Sequence, residues 1–357
     1  MRAKLEPYDK QPLPNYDVVP LRRDEIRVAA AQMTTKLVDP KNPKKGIKEN
    51  VQHMLWIVDA AQSWPIGRKD LVCFPEFSLQ GYDLSWTRED WLRVAIDLPG
   101  EETELIGKKA RELNCYIELG CHTKEKDWPD HYFNTSLIIG PSGTVIHKHW
   151  KAYCDPGAFE YATTVHDVLD EFVERYGWDM VWPVARTDIG NIATFVCSEG
   201  FQPETARAFA FKGAEILVRS INGGAYLYSE MGSRLDPGGD PRITMQAYCM
   251  ENNAYGIFVN NATCPSYRFY PGAGFSTIFD NKGRILKVAS TTDEAVIAEQ
   301  IPISSFRRAH SVPILRKELY DRAYGEHVGK YPPNMYLQYL PKDTIDGINY
   351  ARKKARW

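Results

Sequence analysis

The amino-acid sequence predicts an α/β fold with mixed β-sheets. Two observations predict this class. Apolar runs of strand length alternate with segments of helical periodicity between residues 26 and 301. Several neighbouring strand segments are also joined by short turns rich in Gly, Pro, Asn and Asp, which favour antiparallel hairpins. Helical crossovers favour parallel pairs and tight turns favour antiparallel pairs, so the sheets should contain both kinds.

The elements before residue 152 follow from apolar runs separated by polar turns. Short apolar runs typical of buried strands occur at 26–33, 70–77 and 115–120. Apolar residues three and four positions apart predict helices at 48–63 and, with a break at Pro99-Gly100, at 88–113. The turn Gly140-Pro141-Ser142-Gly143 predicts a hairpin of strands 132–139 and 144–151.

The second half of the chain continues the alternation after an insertion at 155–183, in which we predict a helix at 165–176. Two further hairpins are predicted, with strands at 184–187 and 192–197, and at 274–280 and 284–289. Helices are predicted at 203–212, with Pro203 in the first turn and Gly213 as the stop, and at 240–253. The remaining strands are expected at 215–219, 255–261 and 296–301.

We predict one domain at 24–310 with an arm at each end. Residues 1–23 hold four prolines and mixed charges, which predicts an extended N-terminal arm. Residues 311–357 predict a mostly non-core C-terminal arm that contacts another subunit.

Composition excludes several classes of partner. The 44 Lys and Arg residues nearly balance the 46 Asp and Glu residues, so no nucleic-acid partner is expected. The chain has no apolar run of about 18 residues and no secretory leader pattern, so no membrane partner is expected. Seven cysteines without a C-x-x-C pair favour a reducing compartment, and we expect a cytoplasmic protein.

Three stretches together contain the residue types that nucleophilic catalysis by a thiol requires. Glu76 follows Phe74-Pro75 at a strand exit, Lys151 ends a hairpin, and Cys197 ends an apolar strand before a turn and a helix. A cysteine alone is more often a small buried hydrophobe. A thiol becomes nucleophilic with a base or a nearby cation, and a carboxylate with an ammonium supplies both.

Histidine-based alternatives remain open. No motif singles out one of the eight histidines as the base of a Cys–His dyad, although that arrangement is possible. His147 and His149 have the spacing that puts two imidazoles on one strand face, so a metal site is conceivable. A third ligand in a recognisable pattern is missing, which favours an ordinary strand and no metal.

These stretches resemble the nitrilase (carbon–nitrogen hydrolase) superfamily over about residues 26–319. The resemblance rests on Leu71-Val72-Cys73-Phe74-Pro75-Glu76-Phe77, on Phe133-Asn134-Thr135-Ser136-Leu137-Ile138-Ile139-Gly140-Pro141-Ser142-Gly143 leading to Lys151, and on Cys197 followed by Pro203-Glu204. Gly200-Phe201-Gln202-Pro203-Glu204 and Lys212-Gly213-Ala214-Glu215-Ile216-Leu217-Val218-Arg219 look most like the aliphatic amidase and formamidase branch.

The resemblance implies a four-layer α-β-β-α sandwich with two mixed sheets, assembled into a homo-oligomer. It implies Glu76 as general base, Lys151 as the cation that stabilises the tetrahedral intermediate, and Cys197 as nucleophile. Glu160, after Pro156-Gly157, matches the position of the family's second glutamate. No cofactor is implied.

Two further residues are candidates for substrate binding. Tyr82 is close to Glu76 in sequence and is either a wall of the acyl pocket or an ordinary loop aromatic. Ser198 stands where family members more often carry a bulkier side chain, so recognition beside the thiol should differ. The aromatic residues of the insertion either cover the pocket or simply pack the insertion; they are Phe159, Tyr161, Tyr176, Trp178 and Trp182.

The leading functional hypothesis is a thiol amidohydrolase that converts a small amide to a carboxylic acid and ammonia. Nitrile hydrolysis and N-carbamoyl amide hydrolysis would use the same three residues, so both remain alternatives. A catalytically silent binding or assembly protein is the alternative of another class. The presence of all three catalytic residue types argues against silence.

Overall fold

The computed structural model describes residues 16–63, 66–154, 161–223, 240–264 and 272–357. Within these ranges the strands are β1 Ile26–Gln32, β2 Leu71–Cys73, β3 Ile96–Asp97, β4 Tyr116–Lys124, β5 Phe133–Ile139, β6 Val145–Trp150, β7 Ala185–Thr187, β8 Gly190–Val196, β9 Ile216–Ile221, β10 Tyr255–Asn260, β11 Thr277–Phe279, β12 Ile285–Val288 and β13 Ala295–Ile301. The helices are α1 Pro43–Ser63, α2 Arg88–Val94, α3 Glu101–Leu113, α4 Leu169–Tyr176, α5 Pro203–Phe211, α6 Pro241–Asn252, α7 Ile303–Ala309, α8 Asp321–Glu326 and α9 Thr344–Lys354.

The strands form two sheets. The first has the order β13-β1-β2-β4-β5-β6, with β3 beside β4, and the second has the order β12-β11-β10-β9-β8-β7. Strand pairs β1–β2, β2–β4, β3–β4, β8–β9 and β9–β10 are parallel, and the other pairs are antiparallel. Both sheets are therefore mixed, as the combination of crossovers and hairpins predicts.

Three buried apolar clusters lie between four layers. One fills the space between α1, α3 and the first sheet and includes Val51, Met54, Val72, Ile106 and Ile117. A second lies between the sheets and includes Val28, Ile138, Ile192, Val218 and Ile257. A third lies between the second sheet and helices α5 and α6 and includes Phe195, Phe209, Leu217, Met245 and Phe258. Burial of each such side chain stabilises the fold by about 1.5–3 kcal/mol. The order of helices and sheets around these clusters confirms the predicted four-layer α-β-β-α sandwich.

Strand β2 is shorter than the apolar run 70–77 predicts. It ends at Cys73, because Pro75 has no N–H to donate to a ladder. Phe77 then adopts a φ of 60°, which turns the chain. Glu76 consequently lies in the turn outside the sheet ladder. Helix α1 begins at Pro43, earlier than periodicity predicts, since proline is well tolerated in the first helical turn.

The C-terminal arm has two different parts. Residues 311–328 are largely exposed, including Ile314 at 93% and Leu319 at 72%. Met335 and Tyr336 are buried against the insertion, in a cluster with Val168. This second part therefore builds core with the insertion, which apolar content alone did not reveal.

In the described part of the insertion, Tyr161 and Tyr176 pack within the protein. Tyr161 is buried and its hydroxyl donates to the backbone oxygen of Trp86. Tyr176 accepts a hydrogen bond from the indole of Trp128, whereas Trp178 is 66% exposed. Phe159 lies outside the described residues. No described helix combines the length and apolar character needed to cross a bilayer.

Candidate active site

The predicted nucleophile, Cys197, lies directly after β8. Strand β8 runs parallel to β9 with Val196 opposite Ser220, so both strands end at the same edge of the second sheet. Cys197 has a φ of 47°, in the left-handed region that residues other than glycine seldom occupy. This backbone costs about 1–3 kcal/mol and persists where surrounding contacts hold it, often at functional sites.

The seven free cysteines differ in their access to solvent. Five are buried: Cys73, Cys115, Cys121, Cys249 and Cys264. Burial raises the pKa of the Cys115 thiol to about 12, so this group stays protonated at neutral pH. Cys154 and Cys197 are partly exposed, and of these two Cys197 follows a strand of the central sheets. Access and position thus distinguish Cys197 from the other thiols.

Glu76 joins the two sheets through its carboxylate. Its side chain is almost fully buried. Oε1 accepts a hydrogen bond from Asn134 Nδ2 at 2.7 Å, and Oε2 accepts one from the backbone N–H of Asn222 at 2.9 Å. Asn134 belongs to the first sheet, whereas Asn222 follows β9 of the second. These bonds place the Glu76 carboxylate at the strand edge where Cys197 also emerges.

Lys151 lies beside Glu76. Its Nζ is 3.4 Å from Glu76 Oε1, and both side chains are buried. The backbone N–H of Lys151 donates to the carbonyl of Asn134 at 2.8 Å, which continues the pairing of β5 with β6 for one residue. The hairpin exit predicted from sequence therefore brings the ammonium to the carboxylate.

Glu199 is a site residue that sequence reasoning missed. Its buried carboxylate accepts hydrogen bonds from the backbone N–H groups of Val196 at 2.7 Å and Ala152 at 2.6 Å. It therefore ties the residue before Cys197 to the residue after Lys151. An acidic residue two positions after a cysteine, inside an otherwise apolar and turn-forming stretch, was the available signal.

The two histidines considered for a metal have other partners. His149 Nε2 lies 3.0 Å from a carboxylate oxygen of Glu199, and His147 Nε2 lies 3.0 Å from the hydroxyl of Thr194. Burial lowers the pKa of His147 to about 3, so its ring is neutral at ordinary pH. Within the described ranges, no three His, Cys, Asp or Glu residues are grouped in a way that could hold a metal ion.

A second missed residue, Arg219, contacts the backbone of Cys197, the predicted nucleophile. Its Nε and Nη2 donate to the carbonyl oxygen of Cys197 at 3.0 and 2.7 Å. The side chain is fully buried although it ends in a charge. An arginine inside the apolar strand Ile216–Ile221 was the sequence signal, because a buried charge requires specific partners.

The remaining predicted site residues lie in different surroundings. Ser198 directly follows the predicted nucleophile in the turn Cys197–Phe201, and its hydroxyl is 3.8 Å from the Cys154 sulfur. Tyr82 is buried, with its ring stacked on Phe77 at 4.9 Å, and belongs to the core between helices and first sheet. Glu160 lies outside the described residues.

Glu118 is a buried carboxyl group behind the site. Its Oε1 accepts from Ser136 at 2.8 Å and lies 2.7 Å from the hydroxyl of Ser220, and its backbone oxygen accepts from the N–H of Phe74. Burial raises its pKa to about 7. The group therefore titrates near neutral pH at the junction between the two sheets.

The arrangement supplies the parts of nucleophilic catalysis. A carboxylate and an ammonium lie together, and a partly exposed thiol emerges at the same strand edge. The carboxylate can accept a proton, and the ammonium can stabilise a developing oxyanion.

The comparisons with known proteins decide the family. Residues 27–311 match the model of the carbon–nitrogen hydrolase family. The chain belongs to the carbon–nitrogen hydrolase family. The prediction made from the three stretches is confirmed.

This carbon–nitrogen hydrolase is similar in sequence to bacterial formamidases. It is 29% identical over 239 residues to a formamidase of Bacillus cereus strain B4264, covering 66% of this chain and 62% of that protein. It is 27% identical over 255 residues to a formamidase of Helicobacter acinonychis strain Sheeba, covering 71% and 67% of the two chains. The match therefore spans less than two thirds of the Bacillus relative.

Solved structures share the fold. Nit3 of Saccharomyces cerevisiae, a member of branch 10 of the nitrilase superfamily, superposes with a TM-score of 0.64 at 19% identity, covering 85% of this chain and 99% of Nit3. A variant amidase of Nesterenkonia sp. AN1 superposes with a TM-score of 0.58 at 16% identity, covering 86% and 99%. In that amidase the acetamide moiety of fluoroacetamide is attached to the active-site cysteine.

Proposed function

We propose that this carbon–nitrogen hydrolase is a thiol amidohydrolase. It cleaves the non-peptide C–N bond of a small linear amide and produces a carboxylic acid and ammonia. One observation carries the proposal. Hydrogen bonds connect the buried Glu76–Lys151 pair to the segment that carries Cys197. Glu199 bridges Ala152, the residue after Lys151, to Val196, the residue before Cys197. Glu76 also accepts from Asn222 at the end of β9, the strand next to β8. A base, a cation and a thiol are thus held by one network.

The proposed reaction proceeds through a thioester. Glu76 accepts the thiol proton, and the thiolate of Cys197 attacks the amide carbonyl. Lys151 and the backbone N–H of Ser198 stabilise the tetrahedral oxyanion. Glu76 returns the proton to the leaving nitrogen, and ammonia departs. The same carboxylate then removes a proton from water, and the resulting hydroxide attacks the thioester. The C–S bond breaks, Glu76 returns the proton to the thiolate of Cys197, and the carboxylic acid departs.

The substrate class is proposed from the relatives. Formamidases and an amidase that reacts with fluoroacetamide are among the similar proteins, which favours short acyl groups. We place Ser198 at the acyl pocket, since it directly follows Cys197 in the turn Cys197–Phe201. The roles predicted for Glu160 and Tyr82 stay predictions.

We also propose a homo-oligomer in the cytoplasm. Helices α5 and α6 expose Phe211 at 43%, Ile243 at 57% and Met250 at 62%, and the first part of the C-terminal arm exposes further apolar side chains. Exposed apolar side chains mark protein contacts where they form a contiguous patch, and we propose that these side chains form one. The absence of any disulfide among the seven cysteines fits a reducing compartment. Light scattering coupled to size-exclusion chromatography tests the assembly.

An ammonia-release screen tests the function. Formamide, acetamide, larger aliphatic amides, aromatic amides, nitriles and N-carbamoyl amino acids are compared with wild-type protein and the Cys197→Ala variant. Turnover of short amides by the wild type and a loss of at least about 1,000-fold in Cys197→Ala are expected. Cys115→Ala, which alters a buried thiol in the cluster between the helices and the first sheet, is the control and should retain turnover.

Three outcomes oppose the proposal. Full amide hydrolysis by folded Cys197→Ala would remove the thiol mechanism. Ammonia release from nitriles or carbamoyl compounds without amide turnover would replace the substrate class. No turnover of any compound, together with a Cys197 no more reactive than the buried cysteines, would favour a binding or assembly protein.

A further inference from the structure

The guanidinium of Arg219 is held in one orientation. Nε and Nη2 both donate to the carbonyl oxygen of Cys197, while Nη1 donates to the carbonyl of Pro241 and to the hydroxyl of Thr244, each at 2.8 Å. The planar fork of arginine suits this geometry, because its N–H groups point in fixed directions. Arg219 therefore links the nucleophile to the first turn of α6.

Gly200 and Phe201, which follow Cys197 in the same turn, both contact this guanidinium. Gly200 packs directly against it, and a Cβ atom at this position would overlap Nε and Cζ of Arg219. Phe201 places its ring 4.8 Å from the guanidinium carbon, within the range of a cation–π contact. The turn Cys197–Phe201 is thus shaped around the arginine.

The contact acts on the nucleophile in two ways. Cys197 has a left-handed backbone that needs external support, and two hydrogen bonds to its carbonyl oxygen provide that support. The cationic fork therefore binds the backbone of the same residue that carries the thiol, with four covalent bonds between the carbonyl oxygen and the sulfur. A nearby cation favours the charged thiolate over the neutral thiol.

We propose that Arg219 is a positioning residue for Cys197, holding the backbone that orients the thiol and favouring the thiolate by its charge. The inference rests on the proposed function only in treating Cys197 as the reacting group. Arg219 acts through the nucleophile and needs no contact with substrate.

Alkylation of Cys197 by iodoacetamide tests this inference in the full chain. The rate is measured from pH 5 to 10 by mass spectrometry of the peptide that contains Cys197. In Arg219→Met we expect the midpoint of the pH profile to rise by about one unit, and the rate at pH 7 to fall about tenfold. Arg219→Lys keeps the charge without the planar fork, so its midpoint should rise less than that of Arg219→Met. Its kcat for amides should still be lower than that of the wild type, because the backbone of Cys197 loses its two hydrogen bonds.

Two variants separate positioning from general damage. Gly200→Ala is compatible with the φ of −79° at this position and pushes against the guanidinium. It should slow alkylation of Cys197 while leaving Arg219 in the sequence. Arg207→Met is the matched control, since Arg207 on α5 contacts only the exposed carbonyl of Glu251 among the bonds described for it. It should match the wild type.

Circular dichroism and thermal unfolding establish that each variant is folded. A folded Arg219→Met protein with the wild-type rate and midpoint would overturn the inference. If Arg219 variants fail to fold, Gly200→Ala decides, and an unchanged alkylation profile there overturns it as well. Because alkylation needs no turnover, a wild-type protein that hydrolyses no amide would refute the proposed function and leave this result interpretable.

Discussion

Lys151 Nζ lies 3.4 Å from Oε1 of Glu76, and both side chains are removed from solvent. A buried pair of opposite charges requires both members, because each alone would carry an unpaired charge in a medium of low dielectric constant. Their proximity links the stability of the site to its chemistry.

The first prediction concerns this pair. Lys151→Met should destabilise the protein by about 3–5 kcal/mol and abolish amide hydrolysis, since it leaves the Glu76 carboxylate without its ammonium. Lys151→Met combined with Glu76→Gln should recover part of the stability but no activity. Chemical unfolding of the wild type, both single variants and the double variant measures the coupling. Additive single effects would contradict the prediction.

Asn134 provides the second prediction. Its Nδ2 donates to Glu76 Oε1 at 2.7 Å, so it orients the proposed base. Asn134→Leu has similar volume without the donor, and it should lower kcat about 10- to 100-fold, because a hydrogen bond to a charged group is worth about 1.5–3 kcal/mol. Steady-state kinetics with a short amide measure this, with unfolding as the check on structure. An unchanged kcat in folded Asn134→Leu would show that Asn134 does not orient the Glu76 carboxylate for catalysis.

Glu118 leads to a pH prediction. Its pKa of about 7 in the folded chain exceeds the ordinary value of about 4.5, so its protonation stabilises the folded state. That contribution is complete below about pH 4.5 and is lost as pH rises through about 7. Glu118→Gln cannot ionise, and its stability relative to wild type should therefore increase between pH 5 and pH 8, by at most about 3 kcal/mol.

Thermal unfolding across pH 5–8 measures the Glu118 effect. The surface variant Glu204→Gln serves as the control, and its difference from wild type should stay constant over that range. A constant difference for Glu118→Gln as well would show that this carboxyl group does not titrate there.

Glu199→Gln gives the fourth prediction. Both carboxylate oxygens accept hydrogen bonds, from Val196 N–H and Ala152 N–H. The amide has one acceptor oxygen, so one backbone donor would face an N–H group. We expect a loss of about 1–3 kcal/mol in stability and slower alkylation of Cys197. Unfolding and the alkylation assay measure the two effects, and wild-type values in both would contradict the bridging role.

Local sequence patterns predicted much of the fold and part of the candidate site. Pro75 cannot continue a ladder, so the position of Glu76 beyond a strand end was readable from the chain itself. The turn at Gly140-Pro141-Ser142-Gly143 likewise predicted a hairpin ending at Lys151, and the structure forms this hairpin. Glu199 and Arg219 were missed, because their partners depend on which segments lie opposite one another across the layers.

The sequence by itself determined the alternation of strands and helices and the mixed sheets, since these depend on local periodicity and turn chemistry. The chemistry of Glu76, Lys151 and Cys197, together with the resemblance to the carbon–nitrogen hydrolases, identified the candidates for base, cation and nucleophile. Only the tertiary structure decided that Glu76 meets both Lys151 and Asn222, that Glu199 bridges Ala152 and Val196, and that Arg219 holds the Cys197 carbonyl. The physical reason is that a buried polar group must find a partner wherever the packed sheets bring one, and chain order does not specify that neighbour.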